Sequence, residues 1–372
     1  MKKILIVTSV ASMILQFNIS NIKILKELNY EVYIFSNFKT GNTVSNEKID
    51  FLKNLLSELR VNFYHSNIYR NPFNPLNLFS FFYLLFLVKR LKVDVIHSQS
   101  PVGGIFGRLV SIFFNIKSIY TAHGFHFFKG SSFLTWLFYF PIEKFLSRFT
   151  NDLIVMNNED FMIASKKFYQ NRITYIPGIG IKNKDFLKKR FINNSLNDPL
   201  IIVSVGELIS RKNHLQSIDI VSKLKFNFIF YILGKGKLFS KLNSKIIKLN
   251  LNNKVQLIGY TPNVREYLKK ADIFLFTSKQ EGLPISLLEA MDEGNICVAS
   301  NIRGNKDIVT DNFDGFLIEK DQISKYVEII NLIHKGRFNL NEISLNAQTK
   351  AISFKTENIY LKMKEIYTKY LN

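Results

Sequence analysis

The segment IFLFTSKQEGLPISLLEA, Ile273 to Ala290, changes character part-way along its length. Its opening run, Ile273 to Phe276, is continuously apolar, the habit of a strand buried on both faces of a parallel sheet. A polar turn carrying Glu281 and Gly282 follows, and Pro284 suits the first turn of a helix. Strand, loop and helix in that order form the repeating unit of an open parallel α/β sheet. Such sheets take ligands in the crevice at the carboxyl ends of their strands. Glu281 is therefore expected in that crevice, and the free N–H groups around Leu283 to Ser286 are expected to form an anion site. Glu289 lies eight residues beyond Glu281, within the early helix. Carboxylates at both places suit sugar and ribose hydroxyls, from which they accept hydrogen bonds strongly.

The same alternation extends in both directions. Before it come ILIVT (Ile4–Thr8), EVYIFS (Glu31–Ser36), VDVIHSQ (Val93–Gln99), SIYTAH (Ser118–His123) and DLIVMN (Asp152–Asn157), each separated by helical stretches. Tyr175 to Gly180 breaks the pattern, and the basic stretch Lys182 to Asp198 reads as an interdomain linker. The alternation restarts with LIIVSVG (Leu200–Gly206). It continues through FIFYILG (Phe228–Gly234), VQLIGY (Val255–Tyr260), ICVAS (Ile296–Ser300) and GFLIE (Gly315–Glu319). Two Rossmann-like domains with parallel sheets are expected, over residues 1–182 and 183–353. The closing segment, residues 354–372, reads as a helix with apolar positions Ile359, Leu361, Met363, Ile366, Tyr367 and Tyr370. It is expected to pack on a core and to return to brace the first domain.

Composition narrows the partners. The chain has 372 residues, 47% of them apolar, with 50 Lys and Arg against 29 Asp and Glu, a net charge of +21. That balance calls for nucleic acid, an anionic membrane surface or phosphorylated ligands. Residues 1–185 carry +11 and the remainder +10, so there is no basic arm of the kind nucleic-acid binding often uses, and nucleic acid is not expected. The single cysteine, Cys297, excludes an internal disulfide and a thiolate metal cluster. Met1-Lys2-Lys3 before ILIVTSVASMIL is open to reading as a secretory leader, but without an A-x-A site the strand reading is preferred. The apolar run Leu76 to Val88 is shorter than the roughly 20 residues of a membrane-spanning helix. A buried helix and an interfacial helix ending in Lys89, Arg90 and Lys92 both fit it.

Several further segments bear on chemistry. VSVGELISRKNH (Val203–His214) sets Gly206 after a strand and carries two adjacent cations, Arg211 and Lys212. Gly234-Lys235-Gly236 follows another strand but lacks the third glycine of a dinucleotide fingerprint. Thr121 to Phe127 (TAHGFHF) ends a strand with His123, with His126 just beyond. His97 either binds substrate or packs. The first loop, Thr8 to Ser12, has no glycine and predicts no phosphate cradle.

Glu281-x7-Glu289, embedded in SKQEGLPISLLEAM, resembles the E-x7-E motif of GT-B glycosyltransferases of family 4. The resemblance covers nearly the whole chain and implies two Rossmann-like domains facing across a cleft. It also implies site roles. Glu289 would hold the nucleotide ribose, while Glu281, with the backbone of Gly282 and Leu283 ahead of Pro284, would contact the donor sugar. Gly206 and Lys212 would serve the diphosphate. The arginine usual after that glycine is replaced by Glu207, leaving Arg211 to supply the second charge. Gly234, Tyr260 and Thr261 correspond to loops near the nucleotide, and His123 to the histidine near the reacting centre. A retaining transfer with no cofactor and no metal is implied, in keeping with the lack of any D-x-D. The segments HGFHFF, PIEKFLSR, GELISRKNH and NIRGNKDIV look like bacterial capsular and exopolysaccharide transferases. They imply a nucleotide-sugar donor, preferably a UDP-sugar, and a polyprenyl-diphosphate-linked glycan acceptor. The setting implied is the cytoplasmic face of the plasma membrane, on its anionic surface. A dehydrogenase or epimerase of the dinucleotide type would need a complete G-x-G-x-x-G, which is missing. A GT-B sugar-nucleotide epimerase and a non-enzymatic basic membrane protein stand as alternatives.

Overall fold

A computed structural model of the chain describes residues 1–178, 180–181 and 199–371. The expected linker, Lys182 to Asp198, lies outside the described residues. The chain divides into two compact units: Met1–Ile179 with Glu357–Asn372, and Gly180–Thr356.

In the first unit seven parallel strands are ordered β3-β2-β1-β4-β5-β6-β7. They are β1 (Lys3–Val7), β2 (Glu31–Ser36), β3 (Asn62–His65), β4 (Val95–Gln99), β5 (Lys117–Ala122), β6 (Asp152–Val155) and β7 (Arg172–Tyr175). Ile4 to Val7 are fully buried, so the N-terminal apolar run is an interior strand of this sheet, between β2 and β4. The two edge strands, NFYH and RITY, went unnoticed in the sequence for a physical reason. An edge strand is covered less and needs fewer apolar residues, and these two are half-exposed with polar residues between.

The second unit holds six parallel strands in the order β10-β9-β8-β11-β12-β13. These are β8 (Leu200–Val205), β9 (Phe228–Leu233), β10 (Val255–Gly259), β11 (Ile273–Phe276), β12 (Ile296–Ser300) and β13 (Phe316–Ile318). Alternate residues of each strand feed cores on opposite faces: Ile202, Phe230 and Ile273 on one, Val203, Phe274 and Cys297 on the other. Both sheets reverse strand order beside their first strand, at β1/β4 and at β8/β11. Those are the points where an open sheet leaves a crevice at its carboxyl edge.

The closing helix, Thr356–Thr368, buries Ile359, Met363, Ile366 and Tyr367 in the core around Ile4 and Ile6. Tyr30 donates its hydroxyl proton to the Tyr367 carbonyl at 2.9 Å. Leu361, expected on the apolar face, is instead 63% exposed. At about 100° per residue, position 361 lies across the helix from 359 and 363.

Candidate active site

In the second unit the loops after β8, β9, β10 and β11 are stitched together at one sheet edge. Gly206 N–H donates to Leu233 C=O, Gly234 N–H to Gly259 C=O and Leu208 N–H to Lys235 C=O. Gly234, at φ +143°, has its α-carbon so close to the neighbouring loop that a Cβ would sit 1.9 Å from Gly206 O. The glycines at 234 and 236 thus permit loop-on-loop packing (Gly236 abuts the Leu208 backbone), a need independent of any phosphate. Gly206 makes room for a side chain: a Cβ there would meet the Lys212 stem at 3.1–3.2 Å.

Lys212 crosses above Gly206 and brings Nζ to 2.7 Å from Glu281 Oε1. Arg211 Nη1 reaches Glu281 Oε2 at 3.1 Å and also donates to the Gln280 carbonyl at 3.0 Å. The Lys279 N–H donates to Arg211 C=O at 2.8 Å, closing the clasp through the backbone. Glu281 is only 6% exposed, so two cations from the β8 loop hold one buried carboxylate from the β11 loop across the switch point. A buried pair missing one partner leaves an uncompensated charge, which fixes this arrangement strongly.

The helix that follows, Ile285–Asp292, starts without a side-chain cap. Pro284 is its N-cap, at φ −80° and ψ 107°, rather than a residue of its first turn. An uncapped start leaves early amides directed toward the sheet edge, where an anion suits them. Glu289 is half-buried on this helix. Its carboxyl lies above the usual carboxylate range because burial disfavours the charge, with Arg265 opposing and Asp292 and Glu293 adding to the rise. Arg265 itself is held by Asp292 at 3.1 Å and Glu293 at 2.8 Å. On the β10 side Tyr260 is 63% exposed with Lys235 Nζ 5.6 Å from its ring centre, and Thr261 Oγ1 accepts from Asn263 N–H.

His214 drew no role from the sequence, yet it helps shape this edge. It is 3% exposed, with Nδ1 3.3 Å from Ser204 Oγ. Burial, with the Lys212 charge adding, pushes it down to about 4, so it is neutral at pH 7.

The first unit builds a separate cluster at the carboxyl ends of β4 and β5. His123 Nε2 lies 2.9 Å from Gln99 Oε1, and Gln99 donates through Nε2 to Asn18 Oδ1 at 2.6 Å. Phe17 packs on the His123 ring with centroids 4.5 Å apart. Burial pushes His123 down to about 4. Phe17 and Asn18 come from a π-helical turn, Ile14–Asn18, a geometry with no sequence signature and often found at functional sites. His97 packs: fully buried, its Nδ1 meets Tyr367 OH and its Nε2 meets Thr121 Oγ1, each at 2.8 Å. His126 is exposed and stacked on Tyr139 at 4.3 Å. A cavity of about 310 Å³ opens beside this cluster, lined among others by Arg70, Ser100, His123, His126, Tyr139 and Glu143. Behind it Arg108 pairs with Glu143 at 2.8 Å, both buried. Among the described residues, no three His, Cys, Asp or Glu side chains gather into a metal-binding group.

Comparison with known proteins places the chain in a family. The model described as Glycosyltransferase Family 4 matches residues 22–178, and that described as Glycosyl transferases group 1 matches residues 185–350. The UDP-Gal:alpha-D-GlcNAc-diphosphoundecaprenol alpha-1,3-galactosyltransferase of Escherichia coli is 30% identical over 298 residues, covering 76% of each chain. The chain belongs to this glycosyltransferase family. EpsD of Bacillus subtilis is 28% identical to this glycosyltransferase over 390 aligned positions, spanning 100% of this chain and 97% of its own. Anabaena HepE, solved in complex with UDP and glucose, has the same GT-B fold. Its TM-score is 0.73 at 17% identity, covering 99% of this chain and 100% of its own. The glycosyltransferase thus carries Lys212, Arg211, Glu281 and Glu289 at one sheet edge of its group 1 unit, and His123 in its family 4 unit.

Proposed function

We propose that this glycosyltransferase moves a sugar, with retention, from a UDP-sugar to a polyprenyl-diphosphate-linked glycan in capsule or exopolysaccharide assembly. The observation that carries the donor half is the clasp of Lys212 and Arg211 on buried Glu281 at the β8/β11 switch point. Two fixed cations beside an uncapped helix start match the charge that develops on a departing diphosphate. In this reading Lys212 and Arg211 stand where a divalent cation would otherwise be needed, so no metal or cofactor is required. Glu281 holds both cations in place and, with the Gly282 and Leu283 backbone, contacts the donor sugar. Glu289 accepts from the ribose hydroxyls. Gly206, Gly234, Pro284, Tyr260 and Thr261 shape the nucleotide's surroundings. His123, neutral at pH 7, meets the donor sugar as a hydrogen-bonding group and not as a cation.

The leaving phosphate takes the proton of the acceptor hydroxyl as the bond from the sugar's anomeric carbon to UDP breaks, UDP departs and the new glycosidic bond forms. The lipid-linked acceptor draws support from the relative whose name specifies a diphosphoundecaprenol substrate, and such an acceptor with a UDP-sugar donor would set the enzyme at the cytoplasmic membrane face. The test is a donor screen with UDP-, GDP- and dTDP-sugars, read by nucleotide release with a lipid-linked acceptor and in EDTA. Release from a UDP-sugar, dependent on acceptor and indifferent to EDTA, is expected. Abolition by EDTA with restoration by Mg²⁺ would break the metal-free part. Sugar-nucleotide isomerisation without acceptor would favour the epimerase.

A further inference from the structure

Sixteen of the 28 large apolar side chains exposed among the described residues fall between Phe73 and Phe149. They concentrate on two helices, Leu76–Leu91 and Phe133–Ser147. Both helices bury apolar residues, Leu84, Leu87 and Val88 in the first and Leu146 in the second, yet unlike an ordinary surface helix they are apolar on the exposed side as well. In the first, Asn77 and Ser80 are buried while Leu78, Phe79, Phe82 and Phe86 are 58–73% exposed. Asn77 is held inside, accepting from Tyr69 N–H and donating to Asn71 C=O at 2.8 Å. In the second, Glu143 and Ser147 face inward while Leu134, Phe138, Ile142 and Phe145 face out.

The two helices lie on one face of the sheet. Val7, Ser98, Tyr120 and Leu153 share that face by register, and the Pro101–Phe114 helix packs between. It touches the first helix through Phe106 against Phe81 and the second through Arg108 on Glu143. Exposed apolar side chains are therefore gathered on one face of this unit, the kind of surface that marks an interaction site.

Charge identifies the partner. Residues 66–150 hold nine Lys and Arg and two acids. Of the acids, Glu143 is buried on Arg108, and Asp94 is half-buried, accepting from Lys3 N–H. Lys89, Arg90 and Lys92 close the first helix, while Lys144 and Arg148 close the second. A second copy of this surface would oppose like charges across a two-fold interface, since such an interface meets itself. An apolar field rimmed by cations matches the boundary of an anionic bilayer. Neither helix is long and apolar enough to cross a membrane.

We propose that the outer faces of the Leu76–Leu91 and Phe133–Ser147 helices dock on an anionic lipid bilayer. Their aromatic side chains enter the interface, and the rimming Lys and Arg meet lipid phosphates. The Phe133–Ser147 helix also sends Tyr139 and Glu143 to the wall of the 310 Å³ cavity, so docking sets that cavity beside the lipid headgroups. The inference rests on the lipid-linked acceptor reading for its purpose, and on exposure and charge for its physics.

The purified full chain is sedimented with phosphatidylcholine vesicles, with and without phosphatidylglycerol. Affinity about tenfold or more higher for the phosphatidylglycerol vesicles is expected. The variant Phe79→Ser/Phe82→Ser/Phe138→Ser should lose about tenfold or more of that affinity, with its thermal melt and nucleotide release on a water-soluble acceptor unchanged. Lys89→Ser/Arg90→Ser, a second variant that leaves the aromatics alone, should reduce only the preference for phosphatidylglycerol. Equal binding to both vesicles would overturn the proposal, as would unaltered binding by both variants. So would a dimer that the triple-Phe variant dissociates while vesicles capture nothing. Vesicle binding without transfer from any donor would instead sink the enzymatic reading and leave the docking surface standing.

Discussion

In the group 1 unit the Lys212–Glu281 pair of the candidate site turns inward. Glu281 is buried, Lys212 has a side chain 12% exposed, and their ion pair sits over a glycine that makes room for it. In the family 4 unit two helices carry apolar side chains outward instead: Phe79, Phe82 and Phe138 are exposed while Asn77, Ser80 and Glu143 are buried beside Leu84, Leu87 and Leu146. Both units are parallel sheets with nearly the same net charge, +11 and +10 on either side of residue 185. Fold and charge therefore do not separate their tasks. What separates them is the direction in which polar and apolar groups point: in the functions proposed above, inward charge serves as a fixed electrostatic device and outward apolar area as a docking surface.

That contrast is most exposed at Lys212. Lys212→Ala should lower kcat by roughly a hundredfold to a thousandfold, the usual loss for one fixed charge-stabilising donor. Vesicle binding should stay unchanged, because it belongs to the other unit. A kcat within a few-fold of the unaltered enzyme would show that the clasp is structural only.

A smaller effect tests whether inward and outward faces differ within one element. On the closing helix, Met363→Ala should cost about 2–5 kcal/mol and Leu361→Ala at most about 0.5 kcal/mol, measured by denaturant unfolding. The two positions are 5% and 63% exposed. Equal costs would mean that the helix does not brace the sheet as its contacts indicate.

The smallest effect is graded with pH. Burial holds His97 down to about 3 and His123 to about 4 in the first unit, and His214 to about 4 in the second. Unfolded imidazoles take up protons below about pH 6.5, whereas these folded ones do not until pH 4 or lower. Their stabilisation is complete above pH 6.5 and is lost as pH falls toward 4. For fully buried His97 the loss is up to about 1.4 kcal/mol per pH unit. The first unit, with two such groups, should weaken faster on acidification than the second. His97→Gln should narrow the gap in melting temperature between pH 7 and pH 5, and a gap left unchanged would remove His97 from this account.

Much of the candidate site was legible because its signals are local. The β11 loop and following helix, from Glu281 to Glu289, are contiguous, so strand, turn and helix could be recognised together. Lys212 was legible through the family resemblance of Val203–His214, and Arg211 only because that resemblance lacks its arginine at Glu207. Asn18 and Phe17 escaped because a π-turn leaves no periodic trace. His214 escaped because a single histidine opening a helix has no pattern of its own. The edge strands Asn62–His65 and Arg172–Tyr175 escaped because half-covered strands lack the apolar run that marks central ones.

The sequence by itself determined the alternation of strands and helices, the doubling of that alternation, and the family. Each depends on runs of consecutive residues, and periodicity and spacing survive in one dimension. Only the tertiary structure decided that Gly234 answers to the backbone of Gly206, and that His97 is tied to Tyr367 some 270 residues away. It alone decided that Phe79, Phe82 and Phe86 face out, while Asn77 and Ser80 face in. A run such as LNLFSFFYLLFLV is apolar on nearly every side, so its period does not say which face meets the core. Only the neighbouring strands and helices, brought together by the fold, make that choice.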